Sequence, residues 1–255
     1  MLGNGLVIEA GEGPGSYQIS GLGATTINRQ FGAVQFVGAT RGIQIGLLGG
    51  PDVLVLDGTS AELAVTGKLR IRSGTGSTAI IDRALSLFDD HDIVAIVDVL
   101  LESGLSVRLR RGSDVLSLCG VDSLGRVRTG EGLGPDTLTL DDSVFSDRFN
   151  AGTGVGQDVV SIEQHGNATG PASEFNGRTN LRTRRGNDAI CIGNAGEPGN
   201  SANFHGRTKI RGGHGRHDSL DAGLSGGGGN TFDTPPVVTG IEQLDAGNPA
   251  CGLKT

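Results

Sequence analysis

The sequence predicts an all-β chain, specifically a right-handed parallel β-helix of about seven to nine coils with long loops in the C-terminal coils. Three observations predict this fold. A motif that begins with aspartate and continues with alternating hydrophobic residues recurs along the chain, and a second strand-like segment precedes it. The 46 glycines suit the tight turns that such coils need.

The recurring motif sets the length of one coil. Its aspartates are Asp52, Asp92, Asp114, Asp136, Asp158, Asp188 and, in a degraded copy, Asp218. The three steps from Asp92 to Asp158 are equal, and they indicate a coil of about 22 residues. The two longer steps that follow, to Asp188 and Asp218, predict the same coil with a loop insertion. The first step, from Asp52 to Asp92, is the longest and predicts an additional irregular coil around Thr78.

Alternation within the motif predicts which side chains enter the core, since successive strand residues point to opposite faces. Positions two and four after the aspartate are nearly always Leu, Ile or Val, so they are predicted to face inward. Positions one and three vary and are predicted to face outward. The predicted inward residues are Leu54, Leu56, Leu116, Leu118, Leu138, Leu140, Ile190 and Ile192.

A second strand-like segment precedes each motif, so each coil is predicted to carry at least two short strands. The clearest examples are Ile43-Gln44-Ile45, Leu69-Arg70-Ile71, Leu85-Ser86-Leu87, Val107-Arg108-Leu109 and Val127-Arg128-Thr129. Stacked coils bury an apolar side that a single coil cannot bury alone. We expect one β-helix domain over residues 1–255, with an irregular N-terminal cap at 1–45, repeat coils at 46–221 and a C-terminal tail or cap at 222–255.

The composition restricts the function classes. The 255 residues include no Trp, one Tyr and eight Phe, which predicts a core of small aliphatic side chains rather than large aromatic ones. A net charge of −7 argues against nucleic acid as a partner, because proteins that bind the phosphate backbone normally carry a basic excess. No apolar run is long enough for membrane insertion. The chain starts without a secretory signal, which leaves a cytoplasmic protein or an excised or mature segment. We expect the second, because repeats of this kind are typical of exported proteins.

The three cysteines are too few and too widely spaced for a disulfide framework. Cys119 and Cys191 fall in coils three steps apart, roughly 14 Å at the spacing of stacked strands, which exceeds the reach of a disulfide bond. Only Cys251, in the C-terminal tail, is predicted to be able to pair with either.

The fuller motif resembles the repeats of large exported bacterial parallel β-helix proteins of the adhesin and matrix type. One copy reads Leu69-Arg70-Ile71-Arg72-Ser73-Gly74-Thr75-Gly76-Ser77-Thr78-Ala79-Ile80-Ile81. The motif is more distantly similar to the G-x-G-x-D nonapeptides of RTX proteins, which hold calcium in the turns on both sides of a coil. This chain has one such turn in each longer coil. The resemblance implies a β-helix at the cell surface or outside the cell.

The motif aspartates form the first candidate site, because stacking would bring their carboxylates into a column. Calcium prefers such hard oxygen ligands, so a calcium-stabilised turn ladder is one interpretation. The other is structural and requires no cofactor, since an Asp in a Gly-rich turn accepts hydrogen bonds from nearby backbone N–H groups. The candidate ligands are Asp136, Asp158, Asp188, Asp114, Asp52 and Asp218.

Basic residues form the second candidate site, since they occupy outward positions of the second strand and stacking is expected to align many of them. Such a stripe could bind a sulfated or carboxylated polysaccharide through charge-assisted hydrogen bonds. The alternative is an ordinary solvated face that protects the sheet from edge-to-edge pairing. The candidate ligand-binding residues are Arg70, Arg108, Arg110, Arg128, Arg182 and Arg211.

The sequence contains no recognisable catalytic motif. Carboxylates cluster at Asp89-Asp90-His91-Asp92 and Asp141-Asp142, but near predicted turns rather than in a strand-face cleft. We therefore expect a non-catalytic spacer, adhesive or matrix element of an exported or cell-surface bacterial protein. Its expected partners are an acidic polysaccharide, another surface protein or further copies stacked end to end. The alternative is a polysaccharide lyase or hydrolase on the same scaffold.

Overall fold

The computed structural model describes residues 5–12, 16–22, 32–37, 42–46, 53–58, 63–65, 67–72, 92–130, 132–164, 171–193, 201–215, 217–222 and 229–244. All regular secondary structure in these ranges is β-strand, so the predicted all-β class is confirmed. The strands form three long sheets that are parallel except at an N-terminal hairpin, an arrangement compatible with a β-helix.

Sheet 1 holds the strands that follow the motif aspartates. With strands numbered in chain order, it comprises β1 (Gly5–Ala10), β2 (Tyr17–Leu22), β3 (Val34–Phe36), β5 (Val53–Asp57), β8 (Ile93–Val97), β11 (Val115–Cys119), β15 (Thr137–Asp141), β19 (Val159–Ile162), β22 (Ala189–Ile192), β25 (Ser219–Asp221) and β28 (Gln243–Leu244).

Sheets 2 and 3 hold the remaining strands of each coil. Sheet 2 comprises β6 (Leu63–Val65), β9 (Val99–Leu101), β12 (Asp122–Ser123), β16 (Val144–Phe145), β20 (Ser173–Phe175), β23 (Ala202–Phe204) and β26 (Thr231–Phe232). Sheet 3 comprises β4 (Gly42–Gly46), β7 (Lys68–Arg72), β10 (Leu105–Arg108), β13 (Val127–Arg128), β17 (Phe149–Gly152), β21 (Thr179–Arg182), β24 (Thr208–Arg211) and β27 (Val237–Thr239). A small two-stranded sheet pairs β14 (Gly132–Leu133) with β18 (Gly154–Val155).

Each coil contributes one strand to sheet 1, then one to sheet 2, then one to sheet 3. Strand β11 pairs in parallel with β15, and Val115, which follows Asp114, lies opposite Thr137, which follows Asp136. Strand β19 pairs in the same way with β22, and Val159 lies opposite Ala189 across one of the longer steps. The short and the long predicted steps therefore each correspond to one turn of the chain.

The strands of sheet 2 were not predicted. Strands β12 and β16 are only two residues long, and each buries a single side chain, Ser123 in β12 and Phe145 in β16. A segment this short cannot show the alternation from which a strand is recognised. The structure thus adds a third strand to the two that the sequence indicated.

The predicted additional coil between Asp52 and Asp92 is wrong. Strand β5 pairs directly with β8, with Val53 opposite Ile93, and β7 pairs directly with β10. Because the ladder hydrogen bonds of β5 join it to β8, no further strand fits between them. The extra residues of this step form an insertion between β7 and β8, and Thr78 and the predicted strand at Leu85–Leu87 lie outside the described residues.

The predicted inward residues of sheet 1 are confirmed. All eight, from Leu54 to Ile192, have an exposed fraction of 1% or less. Burying one Leu or Ile side chain contributes about 1.5–3 kcal/mol, so this column is a main source of stability. The predicted outward positions are wrong in β22, where Ala189 and Cys191 are buried as well, and at Ser161 of β19 and Ser219 of β25, which are also buried.

Aromatic side chains fill the core at the C-terminal end, contrary to the prediction of an aliphatic core. Phe145, Phe175, Phe204 and Phe232 follow one another on neighbouring strands of sheet 2, with ring centroids 5.1, 4.6 and 4.6 Å apart. Phe149 of sheet 3 packs against the first two rings. Eight Phe are few for the chain, but stacking places half of them in one column.

The N-terminal strands end the parallel stack with a hairpin. Strand β1 pairs in parallel with β5 on one side and antiparallel with β2 on the other, and β2 pairs antiparallel with β3. The buried Tyr17 of β2 donates its hydroxyl to the carbonyl oxygen of Ala64 in sheet 2, 3.1 Å away. The antiparallel strands thereby cover an edge that would otherwise be open to another chain.

The described cysteines agree with the prediction that Cys119 and Cys191 are too far apart to form a disulfide bond with each other. Cys119 is a free, half-buried thiol, whereas Cys191 is disulfide-bonded, so the two do not pair with each other. Cys251 lies outside the described residues. No helix in the described part of the chain is long and apolar enough to cross a membrane.

Candidate functional site

The motif aspartates form a hydrogen-bonded ladder in the turns between sheet 3 and sheet 1. In each step, the Oδ1 atom of one aspartate accepts the backbone N–H of the aspartate one coil earlier, at 3.0 Å. The accepting carboxylates are those of Asp114, Asp136, Asp158, Asp188 and Asp218. All five are at most 2% exposed, and hydrogen bonds to such charged groups contribute about 1.5–3 kcal/mol each.

The second carboxylate oxygen completes the turn in two of these aspartates. Oδ2 of Asp136 accepts the N–H of Gly132 at 3.0 Å, and Oδ2 of Asp218 accepts the N–H of Gly213 at 2.9 Å. In Asp158 and Asp188 the corresponding oxygen is buried and forms no hydrogen bond of normal geometry. Each ladder carboxylate thus links two coils, and two of them also fix their own turn.

The ladder continues into the last described coil through a residue that was not predicted. Oε2 of Glu242 accepts the N–H of Asp218 at 2.8 Å, which is the role that aspartate has in the earlier coils. The sequence signal was present, because Gly240-Ile241-Glu242-Gln243-Leu244 keeps the motif with Glu in place of Asp. Asp52, at the other end of the predicted ladder, lies outside the described residues.

Glycine lies two residues before four of the ladder aspartates, where successive turns touch. Gly186 has a φ of +145°, and a Cβ built on it would lie 1.3 Å from the carbonyl oxygen of Gly156 in the preceding coil. No side chain fits in this space. The glycines of the motif therefore serve the close stacking of turns, which brings each carboxylate within reach of the preceding coil.

Burial raises the pKa values of three ladder carboxyls, those of Asp136, Asp158 and Asp188. The pKa of Asp136 rises to about 6, mainly by burial, although the N–H groups of Asp114 and Gly132 oppose the rise. Burial raises the pKa of Asp188 to about 6, and the N–H of Asp158 and the nearby Thr183 hydroxyl oppose it. These carboxyl groups therefore keep their protons to a higher pH in the folded chain than in the unfolded chain.

Metal binding by the ladder stays a prediction. Calcium usually takes six to eight oxygen ligands, whereas Oδ1 of each accepting aspartate already accepts a backbone N–H group. Among the described residues, no group of three or more His, Cys, Asp or Glu side chains could hold a metal ion. Calcium bound at the ladder would therefore need oxygen ligands in addition to these Oδ1 atoms.

A second acidic group lies at the corner between sheets 1 and 2. Asp98, Asp142 and Glu163 have positive φ angles of 51°, 51° and 57°, and the buried Asp141 precedes Asp142. Oε1 of the fully buried Glu163 accepts the N–H of Asp142 at 2.9 Å. Burial raises the pKa of Glu163 to about 7, and the charges of Asp141 and Asp142 add to the rise. We call these four residues the acidic corner.

The acidic clusters considered for catalysis divide between two environments. Asp92 is buried and its N–H belongs to the ladder, whereas Asp89, Asp90 and His91 lie outside the described residues. Asp141 and Asp142 belong to the acidic corner. Neither Asp92 nor Asp141 is open to a substrate, since their exposed fractions are 1% and 6%.

His205 joins two carboxylates on the outer face of sheet 2. Its Nε2 lies 2.8 Å from Oε2 of Glu174, and its Nδ1 lies 3.1 Å from Oδ2 of Asp233. The hydrogen bond with Glu174, followed by that with Asp233, raises the pKa of His205. Both ring nitrogens are occupied, so this exposed network ties three neighbouring coils together.

The predicted basic stripe is interrupted. On sheet 3 the exposed Arg70 and Arg128 share a column with Ser106 between them, but Asn150 and Asn180 follow on the next coils. Basic side chains resume in the C-terminal coils. The candidate residues therefore form an N-terminal patch with Arg70, Arg72, Arg108 and Arg128, and a separate C-terminal patch with Arg182, Lys209 and Arg211.

The C-terminal patch borders a groove of about 440 Å³. Exposed Arg182, Arg184, Arg185, Arg211 and His214 line it, together with Val155 and turn residues of the last coils. We call it the arginine groove. Of the predicted candidates only Arg182 and Arg211 border it, whereas Arg110 lies beside β14, three coils before Arg184. Compared with protein-family models, curated proteins and solved structures, the chain shows no significant match.

Proposed function

We propose that the chain is a rigid, non-catalytic segment of right-handed parallel β-helix, about seven to nine coils long, that presents binding surfaces outside the cell. The aspartate ladder is the observation that carries this proposal. The most regularly repeated acidic residues of the chain are buried and accept backbone N–H groups of neighbouring coils. Carboxylates used in this way fix the stack and are withheld from acid–base chemistry.

Two further observations support a rigid element that works outside the cell. The disulfide bond of Cys191 is typical of an oxidising compartment. The repeats of this chain resemble those of exported β-helix proteins, whose stacked coils behave as stiff rods. A calcium-stabilised variant of the same role remains part of the proposal.

The proposal is tested by incubating the purified chain with pectate, alginate and heparan sulfate. We expect no new reducing ends and no unsaturated products, while limited proteolysis should leave the region of residues 92–164 intact. Release of products that is abolished in the His214→Ala variant would show that the chain is an enzyme.

A polysaccharide lyase is the second candidate, because the imidazole side chain of His214 lies among arginines in one groove. A hydrolase is less well supported. Glycoside hydrolases need two carboxylic side chains on either side of the cleaved bond, and no carboxylate is among the described residues that line the arginine groove.

A further inference from the structure

The arginine groove concentrates positive charge that the described part of the chain does not neutralise. Arg182, Arg184, Arg185 and Arg211 are exposed, and none of them forms an ion pair with a described residue. The described lining contains no Asp or Glu. The chain as a whole carries a net charge of −7, so the groove is a positively charged surface on a negatively charged chain.

The arrangement places like charges side by side. Arg182 lies directly opposite Arg211 on neighbouring strands β21 and β24 of sheet 3. Neighbouring strands are about 4.8 Å apart, and like charges at opposing positions destabilise a sheet. Bound anionic groups would remove this repulsion and could accept two parallel hydrogen bonds from each guanidinium group.

The backbone beneath the groove is held firmly. A Cβ on Gly213 would lie 1.4 Å from the carbonyl oxygen of Arg184, so the turns of successive coils are in close contact. The N–H of Gly213 donates to the buried carboxylate of Asp218, and the N–H of His214 donates to the carbonyl of Arg184 at 2.6 Å. The positions from which the arginines project are therefore fixed before any ligand arrives, which lowers the entropic cost of binding.

An apolar surface adjoins the arginines. Val155 lines the groove, and Leu133 pairs with it on the neighbouring strand of the two-stranded sheet. Both are exposed, at 38% and 46%. In register, Leu133 and Val155 lie between Arg111 and Arg185. A ligand with anionic groups and apolar C–H faces matches this arrangement of arginines and apolar side chains. Sugar rings that carry sulfate or carboxylate groups have both.

We propose that the arginine groove binds a short segment of an acidic polysaccharide through its sulfate or carboxylate groups. The volume of about 440 Å³ is that of a site for a small ligand. A single-stranded nucleic acid fits less well, because no Phe, Tyr or Trp is among the described lining residues and bases bind mainly by stacking on aromatic rings. This inference rests on the proposed binding role and names its ligand class.

The test is calorimetric titration of the full chain with size-defined heparin and oligogalacturonate fragments at two salt concentrations. We expect saturable binding that weakens as salt increases, because counterions compete for the guanidinium groups. The Arg182→Ala and Arg211→Ala variants should each bind at least about tenfold more weakly. The Arg182→Lys variant should recover part of the loss, since it keeps the charge without the paired donors.

Arg178→Ala is the matched control, because Arg178 is exposed and lies outside the groove. Its affinity should stay within about twofold of the unaltered chain, since an exposed charge outside the site contributes little. Equal weakening by Arg178→Ala, no binding of either fragment, or tighter binding of an oligonucleotide with the same charge would overturn the inference.

Mass spectrometry of the recovered fragments separates this inference from the proposed function. Bound and intact fragments support both. Bound fragments that are cleaved would support the groove but overturn the non-catalytic role. Intact fragments that do not bind would overturn the groove and leave the non-catalytic role standing.

Discussion

The carboxylate of Asp188 accepts the backbone N–H of Asp158, one coil earlier in the chain, at 3.0 Å. Both residues are buried, so water cannot replace the carboxylate if it is removed. A buried N–H group without a partner costs about 1–3 kcal/mol, and the loss is shared by two coils. The ladder is therefore a structural device whose contribution can be measured one step at a time.

Replacing Asp188 tests this ladder directly. We expect Asp188→Ala to lower the free energy of unfolding by about 2–4 kcal/mol, because it leaves the Asp158 N–H unpaired and opens a small cavity. Asp188→Asn keeps an acceptor oxygen and should cost less. Urea denaturation measures both changes. Asp122→Ala, at an exposed position, is the control and should change stability by less than about 0.5 kcal/mol. Equal effects at the two positions would contradict a structural ladder.

The aromatic column predicts that removing one of its rings lowers the free energy of unfolding strongly. Phe175 is fully buried and contacts Phe145, Phe149 and Phe204 at centroid distances of 5.1, 5.3 and 4.6 Å. Phe175→Ala should lower the free energy of unfolding by about 3–5 kcal/mol, because it removes a ring from the middle of the stack. Phe175→Leu should cost distinctly less, since it fills most of the space. Thermal unfolding of both variants gives the comparison, and near-equal losses would argue against a specific role of the stack.

The buried carboxyls predict that the chain is more stable in mild acid than at alkaline pH. The pKa values of Asp136 and Asp188 are raised to about 6 and that of Glu163 to about 7, in each case mainly by burial. A group whose pKa is raised on folding stabilises the folded state fully below its unfolded pKa. That contribution is lost as the pH rises through the folded pKa. Stability should therefore fall between about pH 4 and pH 7, by about 1–3 kcal/mol for each group.

Unfolding curves at pH 5 and pH 8 measure this effect. Glu163→Gln is the matched variant, because the amide keeps an oxygen for the N–H of Asp142 but does not titrate. Its stability should change less with pH than that of the unaltered chain. Higher stability at pH 8 than at pH 5 would mean that the carboxylates are paired with a cation.

Metal removal distinguishes the two interpretations of the ladder. We expect the same melting temperature in excess EGTA and in millimolar calcium, because the Oδ1 atoms already accept backbone N–H groups. A ligand that binds only the folded state must raise its stability. A clear rise with calcium, absent in the Asp158→Asn variant, would instead support the calcium interpretation.

The sequence alone determined the features that repeat at short range. Alternation after each aspartate identified Leu54, Leu116 and Ile190 as inward residues, because a strand places every second side chain on the same face. The spacing of the aspartates also gave the register, since equal spacing along the chain becomes stacking in space. Both inferences needed only neighbouring residues and a constant interval.

Only the tertiary structure decided how the coils meet. The two-residue strands of sheet 2 and the column from Phe145 to Phe232 have too little local pattern to be recognised in one coil. The arginine groove joins Val155, Arg182 and Thr239, which come together because four coils stack there. The same stacking decides the role of the aspartates, because each carboxylate accepts a backbone N–H that lies one coil away. The sequence does not show which group will be the hydrogen-bond partner of each carboxylate.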